Sequence, residues 1–179
     1  MVKAIKSTIS MILYFAGVIL LTWFVITFIG QRTLVSGDSM ETTLSDGDNL
    51  IVDKISYRFK EPERFDIIVF PFHYDYSKET YYIKRIIGLP GETVQIDEDG
   101  TIYINGKALK ESYGNRVIEA DRRGVAAESV TLGDDEYFVL GDNREVSLDS
   151  RVYGAYNKSD IKGKANFTIY PFSRFGDKK

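Results

Sequence analysis

The chain has 179 residues, 44% of them hydrophobic and 27% charged, with a net charge of −3, which allows one domain with a real core and excludes a disordered polyelectrolyte. That balance offers no broad basic surface for a phosphate backbone, so nucleic acid is not an expected partner. There is no cysteine and one histidine, His73, which removes disulfides and thiolate chemistry and leaves too few ligands for the usual catalytic zinc site.

From Ser7 to Gln31 no residue carries a formal charge, and the run Ile9 to Ile29 is apolar on every side. Roughly 20 such residues cross a hydrocarbon core as a helix. A buried helix of a soluble domain would keep a polar stripe. A cleavable leader would have an apolar run of about 7–15 residues ending at a small-residue site, whereas Gly30-Gln31-Arg32 follows here. The segment 1–31 is therefore expected to be an uncleaved transmembrane anchor. Lys3, Lys6 and the amino terminus outweigh Arg32 on the other flank, which keeps the N-terminus cytoplasmic and places 32–179 outside.

Beyond the anchor, short β-branched and aromatic runs alternate with turn residues, predicting a mainly β domain. Strands are expected at 49–53, 66–70, 81–87, 93–96, 101–104, 136–140 and 164–170. Asp99-Gly100 joins two of these runs as a hairpin, and Asn105-Gly106 is a second strong turn signal. The stretch Gly114 to Gly133 is polar and weakly patterned and reads as a long loop, part of a small insertion at about 93–135.

Three islands carry residues suited to chemistry: Val35–Leu44, Tyr82–Glu92 and Leu140–Arg151. Each alone has a plain structural explanation, as a Gly-Asp turn, a strand running into a Leu-Pro-Gly turn, and a charged loop held by its own Asp and Arg residues. Lys84 sits in a strand pattern with Tyr82 and Ile86 on its own face. A strand lysine is ordinarily a surface residue whose amine reaches water. Packed among apolar side chains, it would instead lose proton affinity through desolvation and could activate a serine hydroxyl without histidine. A Ser-His-Asp arrangement would have to use His73, in a segment that reads as an exposed loop, and no Gly-x-Ser-x-Gly elbow exists. Ser159-Asp-Ile-Lys162 matches Ser-x-x-Lys, but the companion motifs of penicillin-binding enzymes are missing.

Taken together and in this order, the islands resemble the type I signal peptidase family over nearly the whole chain, anchor included. That family's first signature, Gly-x-Ser-Met-x-Pro-Thr-Leu, fits Gly37 to Leu44 except that Thr42 replaces the usual proline. The second, Lys-Arg-x-x-Gly-x-Pro-Gly-Asp/Glu, fits Lys84 to Glu92, and the third, Gly-Asp-Asn-x-x-x-Ser-x-Asp-Ser-Arg, fits Gly141 to Arg151. The resemblance implies a serine endopeptidase that cuts signal peptides from exported precursors at the outer face of the cytoplasmic membrane, without metal or organic cofactor. Its partners would be those signal peptides, the bilayer and the secretion translocon. It implies Ser39 as nucleophile with its N–H in the oxyanion hole, Lys84 as base, Ser147 orienting the lysine amine, and Asp142, Asp149 and Arg151 bracing the site. Gly37, where some relatives carry an oxyanion-contacting serine, follows the Gram-positive pattern. The implied fold is a set of coiled antiparallel sheets forming a barrel-like core. Two rivals share the scaffold or the chemistry: a non-catalytic pilus-assembly or chaperone-like protein, which predicts a broken dyad, and a self-cleaving SOS-type repressor, which predicts a DNA-binding head where this chain has its apolar span.

Overall fold

The computed structural model describes residues 2–71, 81–114 and 117–178, so His73 lies outside the described residues. A single helix, α1 (Val2–Phe24), runs on into a wider π turn at Val25–Ile29. The apolar stretch Ile5–Ile29 has a mean hydropathy of 2.4 and none of it is buried by the rest of the protein. Beyond Lys6 it has no charge and no proline, so as a helix it satisfies its own backbone while its apolar side chains stay uncovered by the rest of the protein.

The remainder is β structure, in strands β1 (Gly30–Leu34), β2 (Asn49–Asp53), β3 (Ile67–Pro71), β4 (Tyr81–Gly88), β5 (Thr93–Ile96), β6 (Ile102–Ile104), β7 (Lys107–Ala108), β8 (Val130–Thr131), β9 (Glu136–Leu140), β10 (Tyr156–Asn157), β11 (Gly163–Tyr170) and β12 (Gly176–Asp177), with a one-turn helix α2 at Ser150–Tyr153. Eight strands form one antiparallel sheet in the order β1-β2-β11-β3-β4-β9-β10, with β12 added to β11. The path is open from β1 to β10 rather than closed into a barrel. A second antiparallel sheet, β7-β6-β5-β8, is built wholly from residues between Thr93 and Thr131.

Every expected strand is present, its ends shifted by one residue at most. Five short strands and α2 were not expected. β7, β8, β10 and β12 have two residues each, too few to show a period of two. The stretch read as a loop from Gly114 to Gly133 contains β8, whose Val130 pairs with Val94. At Asn105-Gly106 both residues have positive φ, 51° and 74°, the requirement of a two-residue hairpin turn, and the turn joins β6 to β7.

Three apolar clusters hold these sheets. Ile87, Phe138 and Leu140 meet Val94, Ile96 and Ile104 of the second sheet, while Ile68, Phe70, Ile86 and Val139 pack with Tyr137 and Tyr156. The third cluster holds Met40 and Leu44 against Leu50, Val52, Ile67 and Val69. Burying two such side chains contributes about 1.5–3 kcal/mol each, and here it pins the segment after β1 to the sheet.

Candidate active site

Ser39 opens the turn that follows β1. The segment 35–48 is closed at its base by Val35 N–H to Asp48 O, 2.8 Å, and Gly47 N–H to Val35 O, 3.0 Å. Met40 and Leu44 point into the core, so the residue before Met40 faces the other way, into an open cleft of about 340 Å³. Gly37 has φ +91°, a conformation that favours glycine, and its N–H donates to Asp46 Oδ1 at 2.9 Å. A serine here would be strained, which fits glycine in place of the oxyanion-contacting serine. The Glu41–Thr42 peptide is cis.

Lys84 comes to the same cleft from the middle of β4. Its Nζ lies 2.8 Å from Ser39 Oγ and 3.0 Å from the Ile83 carbonyl oxygen. The side chain is only 3% exposed, so the surface reading of a strand lysine gives way to the buried one. Burial pulls the amine from its ordinary 10.5 down to about 8. The carboxylates of Asp149 and Asp142 pull the other way and Arg151 reinforces the drop. Desolvation wins because both carboxylates already have partners of opposite charge.

Those partners form two buried ion pairs behind the dyad. Asp142 receives Arg85 Nε at 2.9 Å and Nη2 at 2.7 Å, and Thr43 Oγ1 donates to it at 2.5 Å. Arg85 also donates to the Phe65 carbonyl at 2.9 Å and stacks 3.6 Å from the centre of the Tyr113 ring. One guanidinium thus ties β4, the turn after Ser39 and the third island together. Asp149 receives Arg151 Nε and Nη2, both at 2.8 Å, and the Gly141 N–H at 3.0 Å. Arg151 reaches the Arg144 carbonyl at 2.8 Å, and Arg144 in turn pairs with Glu111 through two bonds of 2.6 and 2.8 Å. Arg85, Thr43, Arg144 and Glu111 were not singled out in the sequence. Arg85 was discoverable as a second cation on the face of β4 opposite Lys84, where an unpaired charge could not be buried.

Ser147, which the resemblance implies as the group orienting the lysine amine, lies beside Gly141 in the third island. Its hydroxyl is buried but makes no hydrogen bond among the described residues, and the lysine amine is held by the Ile83 carbonyl. The Ser147 side chain packs on Gly141, where an added Cβ would run into both the Ser147 hydroxyl and the Ser39 carbonyl. Asn143 N–H donates to that same Ser39 carbonyl at 3.0 Å, so the Ser39 segment is clasped by the backbone of the third island.

Comparison with known proteins agrees with this arrangement at the level of family. The sequence profile of the family described as Signal peptidase, peptidase S26, matches residues 7–170. The chain belongs to the signal peptidase family. It is similar to the probable signal peptidase I-2 of Synechocystis, at 40% identity over 153 residues, covering 84% of this chain and 67% of that protein. It is also similar to signal peptidase IB of Staphylococcus aureus, at 36% identity over 170 residues, covering 85% of this chain and 86% of that protein. Among solved structures, a signal peptidase I from Enterococcus faecalis aligns at 39% identity over 59% of this chain and 97% of that one, with a TM-score of 0.47. Membership of this peptidase family makes the chain an enzyme, and the cleft that holds Ser39 and Lys84 is where its chemistry is best looked for.

Proposed function

We propose that the protein is a membrane-anchored serine endopeptidase that cleaves signal peptides from exported precursors, with Ser39 as nucleophile and Lys84 as general base. The single observation that carries this reading is a lysine amine 2.8 Å from a serine hydroxyl, buried enough to lie at about 8. A base working near neutral pH needs a proton affinity close to the ambient pH, and an ordinary lysine is too basic by over two powers of ten.

The neutral Lys84 amine takes the Ser39 proton as Oγ attacks the scissile carbonyl carbon. The negative charge that develops on the carbonyl oxygen is met by the Ser39 N–H, which donates to no group among the described residues. The lysine ammonium then protonates the departing amine, leaving an acyl ester on Ser39. In the second half the amine removes a proton from water, the hydroxide attacks the ester, and Ser39 Oγ takes the proton back. Thr33, Leu34, Tyr81 and Leu148 line the rest of the cleft, which suits a precursor segment held in extended form.

The domain division follows the same reading. Residues 1–31 anchor the chain with the N-terminus cytoplasmic, and 32–179 form the catalytic domain outside, the small sheet being an insertion at about 93–135. The exposed apolar span supports this anchoring. A binding role without cleavage would leave no reason to bury Lys84 against Ser39.

The test is incubation of the purified full chain in detergent with a labelled precursor, the cut being mapped by mass spectrometry. One cut after a small residue is expected, falling by several orders of magnitude in Ser39→Ala. An inert wild type, or a Ser39→Ala variant that still cuts, would overturn the proposal.

A further inference from the structure

A second cleft, of about 580 Å³, adjoins the first and shares Thr33, Val69 and Tyr81 with it. It opens where the apolar helix meets the β domain, and Lys54, Arg58 and Lys162 line it. None of these three cations pairs with a carboxylate among the described residues. Lys54 donates to Gln31 Oε1 at 2.7 Å and reaches the Ile26 carbonyl at 3.4 Å, and the Arg58 guanidinium stands 5.7 Å from the centre of the Phe28 ring. Asp53, next to Lys54 in sequence, accepts from Ile55 N–H and Ser56 N–H of its own turn.

The depth of this cleft follows from the length of the span. The apolar run Ile9–Ile29, which follows Lys6, has 21 residues, about 31 Å as a helix, against a hydrocarbon core of about 30 Å. The run thus just spans that core, which brings its final turn, with Ile26 and Phe28, to the headgroup boundary. Trp23 and Phe28 meet edge to face at that end, as aromatic side chains do at a membrane interface. Phe59, beside Arg58, is 82% exposed, and the same interface would cover it.

We infer that Lys54, Arg58 and Lys162 form a binding site for the phosphate headgroup of an anionic phospholipid, seated between the top of the anchor and the active-site cleft. The inference rests on the anchoring proposed above, though not on the peptidase chemistry. An acidic segment of a precursor is the competing occupant. The lipid is favoured because Lys54 and Arg58 are tied to the last turn of the span, at the height of the phosphates, rather than to Ser39, and Lys162 lines the same cleft.

The test uses the full chain, wild type and a Lys54→Gln/Arg58→Gln/Lys162→Gln variant, reconstituted in vesicles of phosphatidylcholine with phosphatidylglycerol. Lipid retained after detergent extraction is identified by native mass spectrometry, and precursor cleavage in lipid-free detergent checks that the variant is folded. Wild type is expected to retain phosphatidylglycerol in preference to phosphatidylcholine, and the variant to hold it roughly a hundredfold more weakly, on the order expected for three cations at an anionic surface. Equal retention by both proteins overturns the site. So does a variant that retains lipid normally but binds acidic precursors more weakly, which would assign the cleft to substrate. Failure of the peptidase proposal shows separately, as absence of cleavage by both proteins in detergent.

Discussion

Replacing Lys84 with methionine should make the protein more stable and catalytically dead. The amine sits at about 8 in the fold against 10.5 in an unfolded chain, and at about 1.4 kcal/mol per tenfold in proton affinity this costs the fold about 3 kcal/mol at pH 7. Methionine has a similar length and no charge, so it fills the same slot without that cost. Losing the bonds to the Ile83 carbonyl and the Ser39 hydroxyl takes back about 1 kcal/mol each, leaving a net gain of about 1 kcal/mol. The sign follows from proton counting. Between about 8 and 10.5 the unfolded wild type holds the proton and the folded one has lost it, so wild-type stability rises with pH through that window. Below about 8 both states are charged and the full penalty applies; above 10.5 neither is. Urea unfolding of the full chain in a nonionic detergent, followed by near-ultraviolet circular dichroism from pH 6 to 10, reads this directly. The variant's advantage should be nearly constant up to about pH 8 and should turn into a deficit by pH 10. Curves that run parallel across the whole range would refute the claim that Lys84 is desolvated.

Three further outcomes follow from the geometry. Precursor cleavage, as kcat/KM, should rise about tenfold per pH unit below about 8 and level off above it, because only the neutral amine accepts the Ser39 proton. Arg85→Met should cost about 3–5 kcal/mol in unfolding measurements, since it strands the buried Asp142 carboxylate, whereas Lys158→Met should cost under about 1 kcal/mol because its Glu61 partner is exposed. Gly141→Ala should cut kcat severely while the protein stays folded by circular dichroism, because the added methyl displaces the Ser39 carbonyl and the Ser147 side chain together.

Much of this was legible in the residues, for reasons that can be named. β2, β5 and β9 run to their expected ends because Asn49–Asp53, Thr93–Ile96 and Glu136–Leu140 are compact apolar or alternating runs bounded by turns. Asn105-Gly106 declared its turn because few other pairs tolerate positive φ at both positions. β1 was hidden because Gly30-Gln31-Arg32-Thr33-Leu34 is an edge strand with no alternating pattern, paired only to β2. Ser39 and Lys84 were legible as members of separated motifs, but their 2.8 Å approach is a tertiary fact. The Arg85–Asp142 pair spans 57 positions, which no local pattern encodes. Ser147 shows the opposite limit: a motif names the residue, but its close packing against Gly141 is a tertiary fact.

The central claim is that burial lowers the proton affinity of the amine at position 84 enough for a working fraction of it to be neutral near neutral pH. Heteronuclear NMR of the full chain in detergent micelles, with lysine labelled at Cε and Nζ and the Lys84 signal assigned by its loss in Lys84→Met, measures that charge directly. A titration midpoint near 8 is expected. A Lys84 midpoint of 10 or above would leave Ser39 without a base and contradict the mechanism.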